Sequence, residues 1–265
     1  MTRRTLFSLL RTLVLTLLVM VLLLNVWFSQ TREENWQLPV TAWIYPINAD
    51  GAKTTQDWID TLSDDSFEDM EAFFDHEARR YRLGLERPIQ VKLAAQLDAL
   101  PPDIPLDPSI VDAVIWALKM RFWVWRHDDS VREPRAIRIF IRFYAQDNPG
   151  PMQHSLGLQK GLIGLVNGFA GEEHAGRNNL VAAHELLHTL GATDKYDMDT
   201  LEPLWPDGYA DPTQYPLYPQ TRAEIMSGRL QVSPGWLMLP PSLDHAVIGP
   251  ATAIEINWLA PHNNP

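Results

Sequence analysis

The sequence predicts an α/β (α+β) domain, a mixed sheet packed with helices, standing behind an N-terminal transmembrane helix. Three observations carry this expectation. Apolar segments of two-residue period alternate along the chain with segments of helical period. A long apolar run preceded by arginines opens the sequence. Further on, "HELLHTLGATDKYD" at 184–197 sets two histidines four residues apart on a helical stretch.

The opening run is largely apolar from Thr12 to Phe28 and follows Arg3, Arg4 and Arg11. Extended through Thr5 to Leu10, it is long enough to cross a bilayer. The small residues of a signal-peptidase site are missing, because Asn25, Trp27, Phe28 and Gln30 come instead. The expectation is an uncleaved signal anchor over about 5–28, within a segment 1–34 that also holds a cytoplasmic stub and a spacer. A cleaved secretory signal is the alternative. Arginines on the near side, against Arg32 with Glu33 and Glu34 on the far side, place 35–265 on the non-cytoplasmic face of a cell membrane, which is the periplasm in a bacterium.

"LPVTAWIYPIN" (38–48) alternates as a strand and closes at Asp50-Gly51. The stretch from Thr54 to Gly84 reads as helix, with Ser66 as a cap and Phe67, Met70, Phe74, Ala78 and Tyr81 at helical spacing. A second strand is expected at 88–97, a proline-rich loop at 101–108, and a helix at 109–127 carrying Ile110, Val114, Leu118 and Trp125. "AIRIFIRFYAQ" (136–146) sets Ile137, Ile139, Ile141 and Phe143 against Arg138, Phe140, Arg142 and Tyr144, a strand with one basic face. "GLIGLVNGFAG" (161–171) is a strand whose glycines mark close approach of another backbone. "NNLVAAHELLHTL" is a helix with Asn178 or Asn179 as cap and Gly191 at its end. Five prolines and three tyrosines between 198 and 220 predict an irregular surface loop.

The chain of 265 residues carries a net charge of −11. Of its 22 basic and 33 acidic residues, Arg3, Arg4, Arg11, Arg32, Glu33 and Glu34 lie before residue 35, leaving 18 against 31, or about −13 for the domain. That balance argues against nucleic acid as a partner, since phosphates reward lysine and arginine. With no cysteine there is no disulfide, thiol nucleophile or thiolate metal site, so a bound metal must rest on histidine and carboxylate.

Residues four apart share a helix face, so His184 and His188 can offer imidazole nitrogens to one ion while Glu185 stands beside it as a general base. Such spacing suits zinc, whose catalytic sites take three protein ligands and a water. Gly191 lets the chain double back, and Asp194 follows three residues later as the preferred third ligand. Asp197 is the runner-up, with Glu202 or Glu224 as more distant alternatives.

The run His184-Glu185-x-x-His188-x-x-Gly191-x-x-Asp194 resembles the extended zinc motif of metzincin metallopeptidases, in the variant with aspartate at the third position. "AEIMSG" (223–228) resembles their methionine turn, with Met226 in the defining place. The pair is most similar to the snapalysins, and 191–197 also resembles immune inhibitor A-type peptidases. The resemblance covers 184–197 and 223–228 alone. It implies a Zn2+ enzyme that cleaves a peptide or protein substrate: zinc polarises the carbonyl, and Glu185 takes a proton from water and returns it to the leaving amine. It also implies a peptide lying along a sheet edge, expected at 161–171. In some members a tyrosine beyond the methionine turn steadies the oxyanion; no tyrosine follows Met226, which leaves Tyr196 as the available residue.

Plainer readings stand beside these. His-Glu-x-x-His also occurs on helices whose histidines are only surface residues, Met226 can be core filler, and Asp194 or Asp197 can cap a turn. His174 reads as a solvated loop residue; Trp123, Trp125 and Trp205 read as core or interface aromatics. The functional alternative to a membrane-anchored peptidase is a membrane-tethered, non-catalytic metal-binding or assembly module.

Overall fold

Continuous apolar strands separated by helices fold here into a sheet covered on both faces, as parallel strands require. The computed structural model describes residues 11–12, 16, 36–103, 105, 109–127, 136–147, 156–158 and 162–260. Most of the predicted transmembrane run, 5–28, lies outside the described residues; among those described, no helix is long and apolar enough to cross a membrane. Residues Trp36–Pro265 make one compact unit.

Five strands form the main sheet: β1 (Val40–Asn48), β2 (Ile89–Leu93), β3 (Ile137–Tyr144), β4 (Leu156–Leu158) and β5 (Ile163–Phe169), in the order β2-β1-β3-β5-β4. The first four in that order are parallel, and β4 runs antiparallel to β5. The fold is thus mixed α/β. Helices α1 (Lys53–Ile59), α2 (Glu68–Arg80) and α4 (Glu172–Leu190) join one face, and α3 (Ile110–His127) covers the other. On the first face Ala42, Ile44, Ile137, Ile139, Ile141 and Val166 meet Phe74 of α2 and Leu186 of α4. On the second, Tyr45, Ile47, Phe140 and Leu165 meet Trp116, Met120, Trp123 and Val124 of α3.

Several expectations are corrected. The helix expected over 54–84 is two helices, α1 and α2, parted by a 3-10 turn at Asp64–Phe67. The first helix ends at Ile59, and Ser63 caps the turn that follows, with Ser66 Oγ reaching back to accept the Ser63 N–H at 3.0 Å in a reciprocal capping box. On α3 the residues that reach the core are not those expected, since Val114, Leu118 and Trp125 are exposed. β3 has no solvated basic face: Arg142 is buried, donating to Asn167 Oδ1 at 2.8 Å, and Phe140 packs under α3. Trp123 is buried as a core aromatic, whereas Trp125 and Trp205 are exposed.

Helix α4 begins earlier than predicted, with Gly171 as its N-cap; Asn178 and Asn179 lie buried within it. Asn178 pairs with both backbone groups of Phe169, and Asn179 donates to Ser66 O and Asp69 Oδ1. Both side chains therefore fasten α4 to its neighbours.

The glycines of β5 do mark a close approach, but of α4. A Cβ on Gly164 would stand 2.6 Å from Ile139 Cδ1 and 3.4 Å from Glu185 Cβ, and one on Gly168 would stand 2.8 Å from Asn178 Oδ1. Nor is β5 an edge: it lies between β3 and β4, and among the described residues the edge strand on that side is β4, with β2 at the opposite edge.

After α4, residues 198–220 contain no regular element, as predicted. The short pair β6 (Ala223–Glu224) and β9 (Ala246–Val247), the hairpin β7 (Leu230–Ser233) and β8 (Trp236–Met238), and helix α5 (Pro250–Glu255) complete the unit.

Candidate metal centre

His184 and His188 lie one turn apart in the last third of α4, so both imidazoles leave the same side of the helix. Gly191 ends the helix at φ 112°, a left-handed conformation that suits glycine. The N–H groups of Gly191 and Ala192 close onto His188 O and Leu187 O, and the chain reverses.

The reversal brings Asp194 to the histidines. Its Oδ1 lies 3.3 Å from His184 Nε2 and 3.2 Å from His188 Nε2. His184, His188 and Asp194 could together hold a metal ion, with their ligand atoms all within 4.8 Å of one another. Zinc bound tetrahedrally at about 2.0–2.1 Å would set its ligands roughly 3.3 Å apart, close to the spacing found.

Two backbone carbonyls fix the imidazoles. His184 Nδ1 donates to Ile225 O at 2.9 Å, and His188 Nδ1 donates to Ala192 O at 2.8 Å. A carbonyl can only accept, so each Nδ1 carries a proton and each Nε2 faces inward, free to offer a lone pair once its own proton is lost. Asp194 Oδ1 is itself buried and accepts no well-formed hydrogen bond. Three electron-rich atoms thus converge, an arrangement that calls for a cation or a proton among them.

The electrostatics agree. Burial alone would lower the His184 pKa, but the carboxylates of Asp194 and Glu185 and the carbonyl of Ile225 take it up to about 9. Burial alone would raise Asp194, yet the two imidazoles hold it well below the usual carboxylate range. Without metal, a proton serves where a cation would.

Glu185, next along α4, is buried close enough for its charge to act on His184. Tyr196 is half-buried, and its hydroxyl is pushed up first by burial and then by the charges of Asp194 and Glu185. Met226 is fully buried beneath the turn, and its carbonyl accepts the Lys195 N–H at 3.0 Å. The same turn supplies the Ile225 carbonyl to His184.

The other candidates lie elsewhere. Asp197 is solvated and caps the turn that follows it, Oδ1 accepting the N–H groups of Asp199 and Thr200. Glu202 stands outside the cluster, and its carbonyl accepts the Asp197 N–H. Glu224 is buried as a brace, accepting Ser227 N, Gly249 N and Thr252 Oγ1 at 3.0, 3.0 and 2.7 Å. His174 is not a loop residue: it sits in the first turn of α4 against the Phe169 ring, outside the cluster.

Sequence reasoning missed Ile225 O and Ala192 O, which are backbone atoms and carry no signature. It also missed the clamp on 193–195, where Lys195 Nζ pairs with Glu255 Oε2 at 2.7 Å and the Thr193 N–H donates to the same carboxylate. A buried lysine sixty residues from its carboxylate partner offers no pattern by which Glu255 could have been chosen.

No protein-family model and no curated protein matches the chain. Among solved structures, one described as a chaperone-substrate complex is similar with a TM-score of 0.39 and 10% identity, covering 83% of this chain and 34% of that one. The chain spans about a third of the length of that structure. At this similarity the likeness bears on neither fold nor function.

Proposed function

We propose that the chain is a zinc-dependent metalloendopeptidase, held at a membrane by its N-terminal segment. The observation that carries this reading is the convergence of His184 Nε2, His188 Nε2 and Asp194 Oδ1, with Glu185 buried one residue along the same helix. Zinc in such a site lowers the pKa of a water toward ~7 and polarises a carbonyl oxygen. The metzincin-like motif and methionine turn supply the reaction class, peptide-bond hydrolysis.

The protein's own groups divide the remaining work. Glu185 is the general base that takes the water's proton and hands it to the leaving amine. Tyr196, whose hydroxyl stays protonated at neutral pH, is the donor to the developing oxyanion. Ile225 O and Ala192 O hold the imidazoles in one tautomer and one orientation. With β5 enclosed, the peptide backbone adds instead along β4, the strand at the edge of the sheet.

Glu185→Gln tests the reading. The variant should bind zinc as the parent does, while chelator-sensitive cleavage of an unfolded protein substrate falls by about 10²- to 10⁴-fold. Cleavage undiminished in Glu185→Gln would contradict the assignment, and so would cleavage that survives removal of the metal.

A further inference from the structure

Helix α3 is apolar on two sides. Its inner side, Trp116, Met120, Trp123 and Val124, is spent on the sheet. Its outer side presents Val111, Val114, Ile115, Leu118, Phe122 and Trp125, between 45% and 76% exposed. At 100° per residue these six form one stripe along the helix, opposite the core face. A contiguous apolar stripe of this size, left in water, marks an interaction surface.

The charges beside the stripe identify what covers it. Lys119 and Arg126, seven residues apart, line one margin; Arg121 lies on the other, and all three are exposed. Asp112 is the one acid of Ile110–His127, and it is turned to the helix start, accepting from Ser109 Oγ. The helix is therefore cationic in a chain of net charge −11. An apolar stripe ending in Phe122 and Trp125 and flanked on both sides by long basic side chains is the pattern of a helix lying in a bilayer interface.

A second copy of the chain fits less well. A symmetric pairing presents the same patch twice, so Lys119, Arg121 and Arg126 would meet their own counterparts with no acid to answer them. Anionic lipid headgroups answer them directly, at about 1 kcal/mol for each basic residue near the surface.

We infer that the outer face of α3 seats in the headgroup region of an anionic bilayer. The metal cluster lies on α4, across the sheet, so this contact leaves the cluster uncovered by lipid. The inference rests on α3 alone and stands whether or not the cluster hydrolyses peptides.

The absence of cysteine makes the test direct, because one introduced at Leu118 is a unique labelling site. The full chain, labelled there with an environment-sensitive fluorophore, is reconstituted into nanodiscs of phosphatidylcholine with or without phosphatidylglycerol. The expected result is strong quenching by lipid-borne nitroxides in the anionic discs. The triple variant Lys119→Gln, Arg121→Gln, Arg126→Gln, with an unchanged unfolding midpoint, should shift the seated-to-unseated ratio on the order of 100-fold toward the unseated state. No quenching in anionic discs would overturn the inference. Shielding of the label that is equal in both lipids and appears only with two chains per disc would also overturn it, in favour of pairing between copies.

Discussion

Asp194 Oδ1 within 3.3 Å of two imidazole nitrogens is the decisive contact in the molecule, and it has a measurable acid–base consequence. In the metal-free protein His184 keeps its second proton up to a pH of about 9. Zinc uptake at pH 7 should therefore release about one proton, and zinc affinity should rise roughly tenfold per pH unit toward pH 9. Titration calorimetry in two buffers of different ionisation enthalpy measures the release; no net release at pH 7 would contradict the contact. The same raised value gives the metal-free chain stability that is fully present below the unfolded value of 6.5 and is lost as pH rises through about 9. The grouping of His184, His188 and Asp194 was legible because helical spacing and a glycine turn act on side chains close in sequence. The spacing from Gly191 favoured Asp194 over Asp197, and the structure brings Asp194 to the histidines. The choice is made by the helix end, which aims Asp194 inward and leaves Asp197 to cap the next turn.

At the scale of elements, the turn at 223–228 is held by Glu224, the carboxylate that sequence reasoning kept as a distant metal ligand. Burial pushes its pKa up, and three donors from two separate segments converge on it. Glu224→Ala leaves those donors buried and should destabilise the domain by about 3 kcal/mol, read as a lower midpoint in urea unfolding. A loss below about 0.5 kcal/mol would show that the turn does not depend on this brace. The order of strands and helices was legible because period two and period 3.6 differ plainly along this chain. Which stripe of α3 faces the core was not. With apolar residues on both sides of the helix, periodicity identifies two candidate faces, and only the partner, here Tyr45, Phe140 and Leu165 of the sheet, selects between them. The start of the second segment was misplaced as well, since Ser66 was read as the cap and Ser63 is the N-cap, with Ser66 as its capping-box partner.

For the whole molecule, the cluster ties the end of α4, the reversal at 191–194 and the turn at 223–228 into one assembly, so a metal held there would couple its binding to folding. Zinc at 100 times its dissociation constant should add about 2.7 kcal/mol, equivalent to roughly 5–11 °C in unfolding midpoint for a domain of this size. Differential scanning fluorimetry with and without chelator reads that shift, and an unchanged midpoint would uncouple the cluster from the fold. The central claim is that His184, His188 and Asp194 form a zinc site, and the most direct measurement is metal content by mass spectrometry on the chelator-free protein and on Asp194→Ala and Asp197→Ala. The account predicts one zinc per chain in the parent and in Asp197→Ala, and loss of that zinc in Asp194→Ala. A parent protein without metal, or an Asp194→Ala variant that keeps its zinc, would contradict it.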